Sequence, residues 1–138
     1  MTKVDFYFNV AHKSQKIVQL GKVALAKKLT LTVHLSGKTF AKEMSDYLWA
    51  HDPISFLPHR FNDDSVMNAP ILLDWQGQSL PYDDILVNMT SHTPHFFSRF
   101  QKVIEIVSLE ELDKAAARKR FKFYRDRGYE INSIDALK

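Results

Sequence analysis

A short segment of the sequence matches the last residues of a phosphate-binding loop. From Ser36 to Thr39 it reads S-G-K-T, follows a predicted strand and opens a predicted helix, as in the motif G-x-x-x-x-G-K-[ST]. The first glycine of that motif would stand at position 32, which is Thr32, and residues 33–35 are typical of a strand rather than of an anion-binding loop. We therefore interpret the segment as a strand-to-helix turn, and a nucleotide-dependent enzyme is kept as an alternative.

Two imidazoles three residues apart, His92 and His95, are the nearest approach to a metal-binding motif. Pro94 between them breaks the helical register that would align both rings, and the spacing supplies no third ligand. The chain has no cysteine, which excludes a disulfide scaffold, a thiolate nucleophile and cysteine-ligated metals. No Ser-His-Asp or paired-carboxylate arrangement follows from the spacing either. We expect no catalytic residue, no metal and no cofactor.

The strongest charge pattern lies between Lys114 and Arg127. Seven basic residues stand there against one acid, Asp126, so this segment carries +6, which leaves −3 on the remainder because the whole chain carries +3. On a helical projection the cations beside Phe121 form one stripe, which consists of Lys114, Arg118, Lys122 and Arg125. A solvated helix face is the simplest interpretation. The functional interpretation is an anion-binding strip with an apolar lip.

Two classes of ligand match such a strip. An acidic peptide with an aromatic or aliphatic anchor would use both the cations and an adjacent apolar pocket. Single-stranded nucleic acid would use the cations for its backbone and would stack a base on Phe121 or Tyr124. Only the peptide requires the apolar pocket. The peptide is therefore the leading hypothesis, and direct nucleic-acid binding by the basic C-terminal helix is the alternative.

Trp49 is the most informative residue of the second predicted helix. The apolar stripe of that helix is formed by Phe40, Met44, Tyr47 and Leu48. At about 100° per residue, Trp49 falls nearly opposite this stripe. A tryptophan that faces away from the core is a candidate anchor for a protein partner, because tryptophan is enriched at interface hot spots. The alternative is that the helix end bends and Trp49 packs under Phe56.

Alternating strands and helices position these residues. We predict strands at residues 4–10, 29–35, 54–57, 70–75, 85–89 and 103–107. We predict helices at residues 14–28, 38–50, 94–100 and 109–127, the last closed by Gly128. Residues 60–68 are expected to form a polar loop, and residues 131–138 a loosely attached flexible tail. Because several strands are apolar throughout, the sequence predicts an α/β fold: a single domain over residues 1–138 with a mostly parallel, Rossmann-like sheet and helices on both faces.

Composition and length agree with one globular domain. The chain has 138 residues, of which 45% are hydrophobic and 25% charged. A domain of this length buries enough surface to fold without disulfides. No uncharged apolar run reaches about 18 residues, and Asp5 interrupts the region where a signal peptide would be apolar. We expect no membrane span and a cytoplasmic protein.

Several segments together resemble one protein family over nearly the whole chain. They are Phe6-Tyr7, Leu48-Trp49-Ala50, Ser55-Phe56-Leu57-Pro58-His59, Pro70-Ile71-Leu72-Leu73-Asp74-Trp75, Asp84-Ile85-Leu86, and the run from Ala117 to Arg125 ahead of Gly128-Tyr129. The order and spacing of the Leu-Trp, Ser-Phe-x-Pro-His and Arg-x-Arg-Phe-Lys-x-Tyr-Arg segments are the most specific part. On these residues the chain resembles the chi subunit family of bacterial DNA polymerase III, which are accessory proteins of the clamp-loader complex.

The resemblance implies a non-enzymatic bridge built on a Rossmann-like sheet. Proteins of this family bind the acidic C-terminal tail of single-stranded DNA-binding protein, which ends in an aromatic residue, so they contact nucleic acid mainly indirectly. They also bind the psi subunit, which links them to the clamp loader, and some engage a helicase-like protein through the same surface. Matched residue by residue, the tail-binding pocket falls on Val107, Arg118, Phe121, Lys122, Tyr124 and Arg125. The psi-facing surface falls on Trp49 and Phe56.

The sequence departs from the family pattern in two places. Position 121 is phenylalanine where a tyrosine is familiar, so we expect no hydroxyl contact to the tail from this side chain. The loop before Pro70, often glycine-rich in the family, contains no glycine between residues 62 and 68.

Overall fold

The computed structural model describes residues 1–51, 58–62, 69–78 and 80–137. Within them the chain forms seven strands and three α-helices. The strands are β1 (Lys3–Val10), β2 (Leu31–His34), β3 (His59–Phe61), β4 (Ile71–Asp74), β5 (Ile85–Asn88), β6 (Lys102–Ser108) and β7 (Glu130–Asp135). The helices are α1 (Lys13–Ala26), α2 (Lys38–His51) and α3 (Glu111–Asp126), and a single turn of 3-10 helix spans Phe97–Arg99.

The strands lie in one sheet in the order β3-β4-β2-β5-β6-β1-β7, and every neighbouring pair among these described strands is parallel. Parallel neighbours require crossover connections, which the helices supply. α1 leads from β1 across β6 and β5 to β2, whereas α3 leads from β6 across β1 to the edge strand β7. The predicted α/β fold with a parallel, Rossmann-like sheet is confirmed.

Helices cover both faces of the sheet, as the sequence predicts. On one face α1 and α2 close a core that includes Ile17, Leu31, Val33, Met44 and Ile104. On the other face α3 closes a core that includes Val4, Phe6, Phe97, Val103 and Tyr124. The side chains of β1 alternate between these two cores because successive residues of a strand point to opposite faces. No helix of the described residues is long and apolar enough to cross a membrane.

The expectation of a flexible tail at residues 131–138 is wrong for residues 131–135. Glu130–Asp135 forms β7, which pairs with β1 from Lys3 opposite Glu130 to Phe8 opposite Asp135. Most residues of β7 are exposed, since it is an edge strand. Its polar sequence therefore lacks the apolar alternation from which strands are recognised.

Two further element boundaries and the burial of one residue differ from the sequence prediction. Arg60 and Phe61, expected in a loop over residues 60–68, belong to β3 at the other edge of the sheet, and residues 63–68 of that expected loop lie outside the described residues. The helix expected at residues 94–100 is reduced to the 3-10 turn at residues 97–99. Phe40, expected in the core stripe of α2, is 54% exposed, whereas Met44 and Leu48 are buried. The strand expected at residues 54–57 lies outside the described residues.

The C-terminal end of α3 has the predicted glycine cap. Gly128 adopts the left-handed conformation, with φ of 79°. Its N–H donates to the carbonyl of Arg125, and the N–H of Tyr129 donates to the carbonyl of Tyr124. These bonds satisfy the last carbonyls of the helix and turn the chain into β7.

Candidate functional site

The position of α3 is fixed by a buried carboxylate on β6. The Glu105 side chain is fully buried, and Arg120 of α3 donates from Nε to its Oε1 at 2.9 Å. Tyr124 of α3 donates its hydroxyl to Oε2 at 2.8 Å, and Asn88 of β5 donates to the same oxygen at 3.1 Å. Arg120 also donates to the carbonyl of Ser91 at 3.2 Å. A charge removed from water at this depth needs such a complete set of partners.

Protonation in this cluster follows from its burial. Burial raises the pKa of Glu105, and the Arg120 guanidinium together with the Asn88 and Tyr124 donors opposes that rise. The pKa of Tyr124 is raised by burial and by the neighbouring Glu105 carboxylate. Tyr124 therefore stays protonated and keeps its hydrogen bond. The cluster has no access to solvent, so its role is to hold α3 in one rotation against the sheet.

With α3 held in this rotation, a cleft of about 640 Å³ opens between the helix and strands β1, β6 and β7. Its apolar lining consists of Phe6, Phe8, Val107, Ala117 and Phe121. Its cationic rim consists of Lys114, Arg118, Lys122 and Arg125, all from α3. We call this site the tail cleft. Asn9 and Ser133 complete the wall on the strand side.

The shape of the tail cleft follows from which residues are large and which are small. Phe121 is half-buried and packs edge to face on Phe6, with ring centroids 5.3 Å apart. Ala117 and Ser133 have short side chains, so the space beside the Phe121 ring stays open. The result is an aromatic wall next to a gap. A cleft of several hundred Å³ with apolar walls and a few polar groups is typical of a ligand site.

The cations of the rim are available to an external anion. Arg118 and Lys122 are exposed, and among the described residues neither forms an ion pair. Lys114 lies 3.8 Å from Glu111 and Arg125 lies 3.6 Å from Asp126, in pairs on the helix surface. Exposed pairs of this kind are weak, so a bound carboxylate can compete with them. The cleft therefore combines an apolar wall with a positive rim in which Arg118 and Lys122 form no ion pair with a described residue.

Five of the six residues predicted for tail binding line this cleft, and they are Val107, Arg118, Phe121, Lys122 and Arg125. Tyr124 is the exception, and the prediction that it binds the tail is wrong. Its side chain is fully buried and bonded to Glu105, so it cannot touch a molecule bound at the surface. Tyr124 follows Phe121 by about one helical turn, but its ring points into the core beneath α3 and not into the cleft.

Sequence reasoning missed the part of the cleft that β1 and β7 form. Phe6 and Phe8 come from β1 and Ser133 from β7. The alternation of Val4, Phe6 and Phe8 was the available signal, because residues two apart in a strand share a face. No signal marked Ser133, since β7 was expected to be a loose tail.

Trp49 lies at the opposite edge of the sheet. It is 60% exposed near the end of α2, and its ring packs edge to face on His59 of β3 at 6.0 Å between centroids. His59 is buried and shares a hydrogen bond of 2.9 Å with Ser45 of α2. Trp49 therefore faces away from the core, as the helical projection predicts. Phe56, the other residue matched to this surface, lies outside the described residues.

The segment that resembles the end of a phosphate-binding loop follows a buried strand. Thr32 lies within β2 and is fully buried, so no anion-binding loop precedes Gly37.

Asp74 is the centre of a small hydrogen-bond network at the carboxyl end of β2 and β4. His34 and Asp74 share a hydrogen bond of 2.8 Å, and the N–H of Gly77 donates to Asp74. Burial alone raises the pKa of Asp74, but these bonds and one from Asn62 outweigh burial and lower it. Among the described residues no three His, Asp or Glu side chains are grouped to hold a metal ion.

Comparison with known proteins points to one family. The model of the family described as DNA polymerase III chi subunit, HolC, matches residues 1–132 of this chain. The DNA polymerase III subunit chi of Pseudomonas aeruginosa is 29% identical over 135 residues, which cover 95% of this chain and 94% of the relative. The proteins of the same name from Haemophilus influenzae and Escherichia coli are 30% and 32% identical over 95 residues, which cover 67% of this chain and 66% and 65% of those relatives.

Proposed function

Because the chain belongs to the DNA polymerase III chi subunit family, we propose that it is a non-catalytic adaptor of the replication machinery. In this proposal the tail cleft binds the acidic C-terminal tail of single-stranded DNA-binding protein. The surface around Trp49 binds the psi subunit and so connects the chain to the clamp loader. The observation that carries the proposal is the tail cleft itself, in which a cationic rim borders an aromatic wall.

The two parts of the cleft match the two parts of an acidic tail that ends in an aromatic residue. In this proposal Arg118 and Lys122 of the cationic rim pair with tail carboxylates, and the gap beside Phe121 takes the terminal ring. Exposed ion pairs contribute little on their own, whereas a desolvated aromatic anchor contributes much of the affinity at interface hot spots. We expect binding of order micromolar, which corresponds to about −8 kcal/mol, and weaker binding at higher salt.

Fluorescence anisotropy with a labelled acidic peptide that ends in phenylalanine tests the cleft. Phe121→Ala removes the aromatic wall, and Lys122→Glu reverses a rim charge. Lys119→Glu is the matched control, because Lys119 is exposed on the same helix and does not line the cleft. We expect the first two variants to lose at least tenfold in affinity and the control to keep it within about twofold.

Two outcomes would contradict the assignment. If Phe121→Ala binds the peptide as tightly as the wild type, the ring does not anchor the tail. If Lys119→Glu and Lys122→Glu weaken binding equally, the peptide responds to the overall charge of α3 and not to the cleft.

The Trp49 surface is tested separately with the psi subunit. Trp49→Ala is compared with Phe40→Ala, since both side chains are large, apolar and exposed on α2. A tryptophan hot spot is worth about 2 kcal/mol or more, so Trp49→Ala should weaken psi binding roughly thirtyfold. Phe40→Ala should leave psi binding unchanged, and an equal effect of both variants would remove Trp49 from the proposal.

The same surface is proposed for a helicase-like protein where that partner takes the place of psi. One surface cannot hold two partners at once. We therefore expect psi and the helicase-like protein to compete for the chain, and both to lose affinity in Trp49→Ala. If psi and the helicase-like protein elute with the chain as one ternary complex in size-exclusion chromatography, they bind different surfaces and the shared site is wrong.

A further inference from the structure

The strand β7 forms an open edge of the sheet beside the tail cleft. It pairs with β1 on one side, and no other described strand lies on its second side. An edge strand presents a row of backbone N–H and C=O groups that can pair with another chain. Most residues of β7 are exposed, so this edge is accessible to a ligand from solvent.

Ser133 is the residue at which this edge meets the tail cleft. The N–H of Ala136 donates to the carbonyl of Phe8 on β1, and alternate residues of a strand direct their backbone groups to the same side. The even-numbered residues of β7 therefore face β1, whereas Ile131 and Ser133 direct their N–H and C=O groups to the open edge. No described residue bonds to either of them on that side. The Ser133 side chain lines the tail cleft, and Ile131 packs on the core under α3.

The cations of the rim repeat at nearly the spacing of an extended peptide. Lys114, Arg118 and Lys122 follow one another at intervals of four residues on α3, which is about 6 Å along the helix axis. Every second residue of a strand points to the same face, at intervals of about 6.7 Å. α3 runs back against the strand direction because it connects two parallel strands. A strand added to β7 would therefore present alternate side chains to successive turns of the rim.

Acidic residues limit how much of this edge an acidic ligand can use. Glu130 and Asp135 close the two ends of β7, and the residues between them are uncharged. Asp135 accepts hydrogen bonds from Asn9 and from the N–H of Leu137. Because like charges repel, we expect a ligand with carboxylates to pair only with residues 131–134 and to direct its charges towards α3.

We propose that the acidic tail adds to β7 as a further strand, with its aromatic end beside Ser133. This mode of binding rests on the proposed function of the tail cleft, and it specifies the conformation of the ligand there. Backbone bonds to Ile131 and Ser133 fix the register of the tail, while its side chains on the α3 face enter the apolar gap and pair with the cations.

The charge of the rim identifies the occupant as an acidic peptide. An added strand on β7 lies directly beside the cations of α3, so its carboxylates find opposite charges there. A second copy of this chain, paired through its own β7, would place another cationic rim beside the first. Like charges facing each other across an interface oppose that association.

A scan of N-methylated peptides tests the pairing by fluorescence anisotropy. Each peptide is acidic, ends in phenylalanine and carries one N-methyl group, which is moved by one residue from peptide to peptide. The methyl group removes an N–H donor and blocks the approach of a neighbouring strand. We expect an alternating pattern, in which positions whose N–H faces β7 lose at least about tenfold in affinity. The positions between them are the matched controls and should lose less than about threefold.

The unmodified peptide distinguishes the two ways in which this proposal can fail. If the unmodified peptide does not bind, the proposed function of the tail cleft is wrong and the added strand is wrong with it. If it binds but the losses in affinity do not alternate, the tail is held by its side chains alone. The added strand is then overturned, while the assignment of the cleft stands.

Amide hydrogen exchange followed by NMR gives an independent readout on the unmodified protein. The N–H groups of Ile131 and Ser133 should exchange fast in the free chain, and saturation with the peptide should slow them at least about tenfold. Asn132, whose N–H faces β1, is the control and should change less. Unchanged exchange at Ser133, or equal slowing of all three amides, overturns the proposal. Protection of Ser133 that rises with protein concentration in the absence of peptide assigns the edge to a second copy instead.

Discussion

Replacement of Arg120 by alanine should destabilise this protein far more than replacement of its neighbour Lys119. Both residues belong to the basic run of α3, but Arg120 is 2% exposed and Lys119 is exposed. Arg120→Ala removes the cation that lies 2.9 Å from the buried Glu105 carboxylate. Removal of one partner of a buried ion pair costs about 3–5 kcal/mol, because the other charge stays behind without compensation. Lys119→Ala, a surface change, should stay within about 0.5 kcal/mol.

A loss of this size is a large fraction of the 5–15 kcal/mol by which domains are typically stable. It should appear as a lower midpoint of urea unfolding followed by circular dichroism, with an unchanged m-value. The defect should also shrink as the pH falls from 7 towards 5. Without Arg120 the pKa of Glu105 rises further, so the folded state takes up a proton more readily than the unfolded chain does, and protonation removes the uncompensated charge.

The addition of Glu105→Gln provides the internal control. In Arg120→Ala/Glu105→Gln no charge remains buried at this position, so part of the lost stability should return. The reasoning is refuted if Arg120→Ala costs no more than Lys119→Ala at pH 7. It is also refuted if the two buried substitutions are simply additive, since contacting residues of one ion pair must couple.

Three other predictions test particular contacts. Tyr124→Phe keeps the ring and removes its hydrogen bond to the buried carboxylate, which should cost about 1.5–3 kcal/mol in urea unfolding. Gly77→Ala should lower the free energy of unfolding more than Gly128→Ala does. Both glycines have positive φ, and an alanine in that conformation costs about 1–2 kcal/mol of stability. A Cβ at position 77 would in addition stand 2.6 Å from the Phe96 ring. The pKa of Asp74 is lowered from 3.8 in the folded state, so its contribution to stability is present above pH 3.8 and is lost as the pH falls through the lower folded value. Asp74→Asn removes this titration. The variant should therefore show a flatter dependence of stability on pH below about pH 4, measured by circular dichroism.

The sheet and the cationic rim were accessible to sequence reasoning because their signals are local. The first three residues of β4, Ile71, Leu72 and Leu73, are apolar and buried, and this apolar run marks an interior strand of a parallel sheet. Arg118, Lys122 and Arg125 fall on one side of α3 through helical spacing alone. Trp49 was marked in the same way, by its position opposite the buried stripe of α2.

The parts that sequence reasoning missed depend on contacts between distant residues. Arg120 looks like one more surface cation, and only its pairing with Glu105, fifteen residues earlier, places it in the core. β7 has no apolar pattern of its own, and it becomes a strand because β1 offers an unpaired edge. The pairing of β7 with β1 also places Ser133 beside Phe6 and completes the tail cleft. Because β7 is stabilised by its pairing with β1, its own sequence needs no apolar alternation from which the strand could be predicted.

The order of strands in the sheet determines whether one ligand at Trp49 and another at the tail cleft can be bound at the same time. β3, beside Trp49, and β1, beneath the tail cleft, are five strand spacings apart, or roughly 24 Å. In the proposed function, the partners bound at these two places occupy separate volumes, so neither must displace the other, and the chain tethers them close together. Tethering through a short connection raises the effective concentration of a ligand to about the millimolar range. In the proposed function, a micromolar contact at the tail cleft is then occupied most of the time, yet each bound peptide can still leave and be replaced while the partner at Trp49 stays bound.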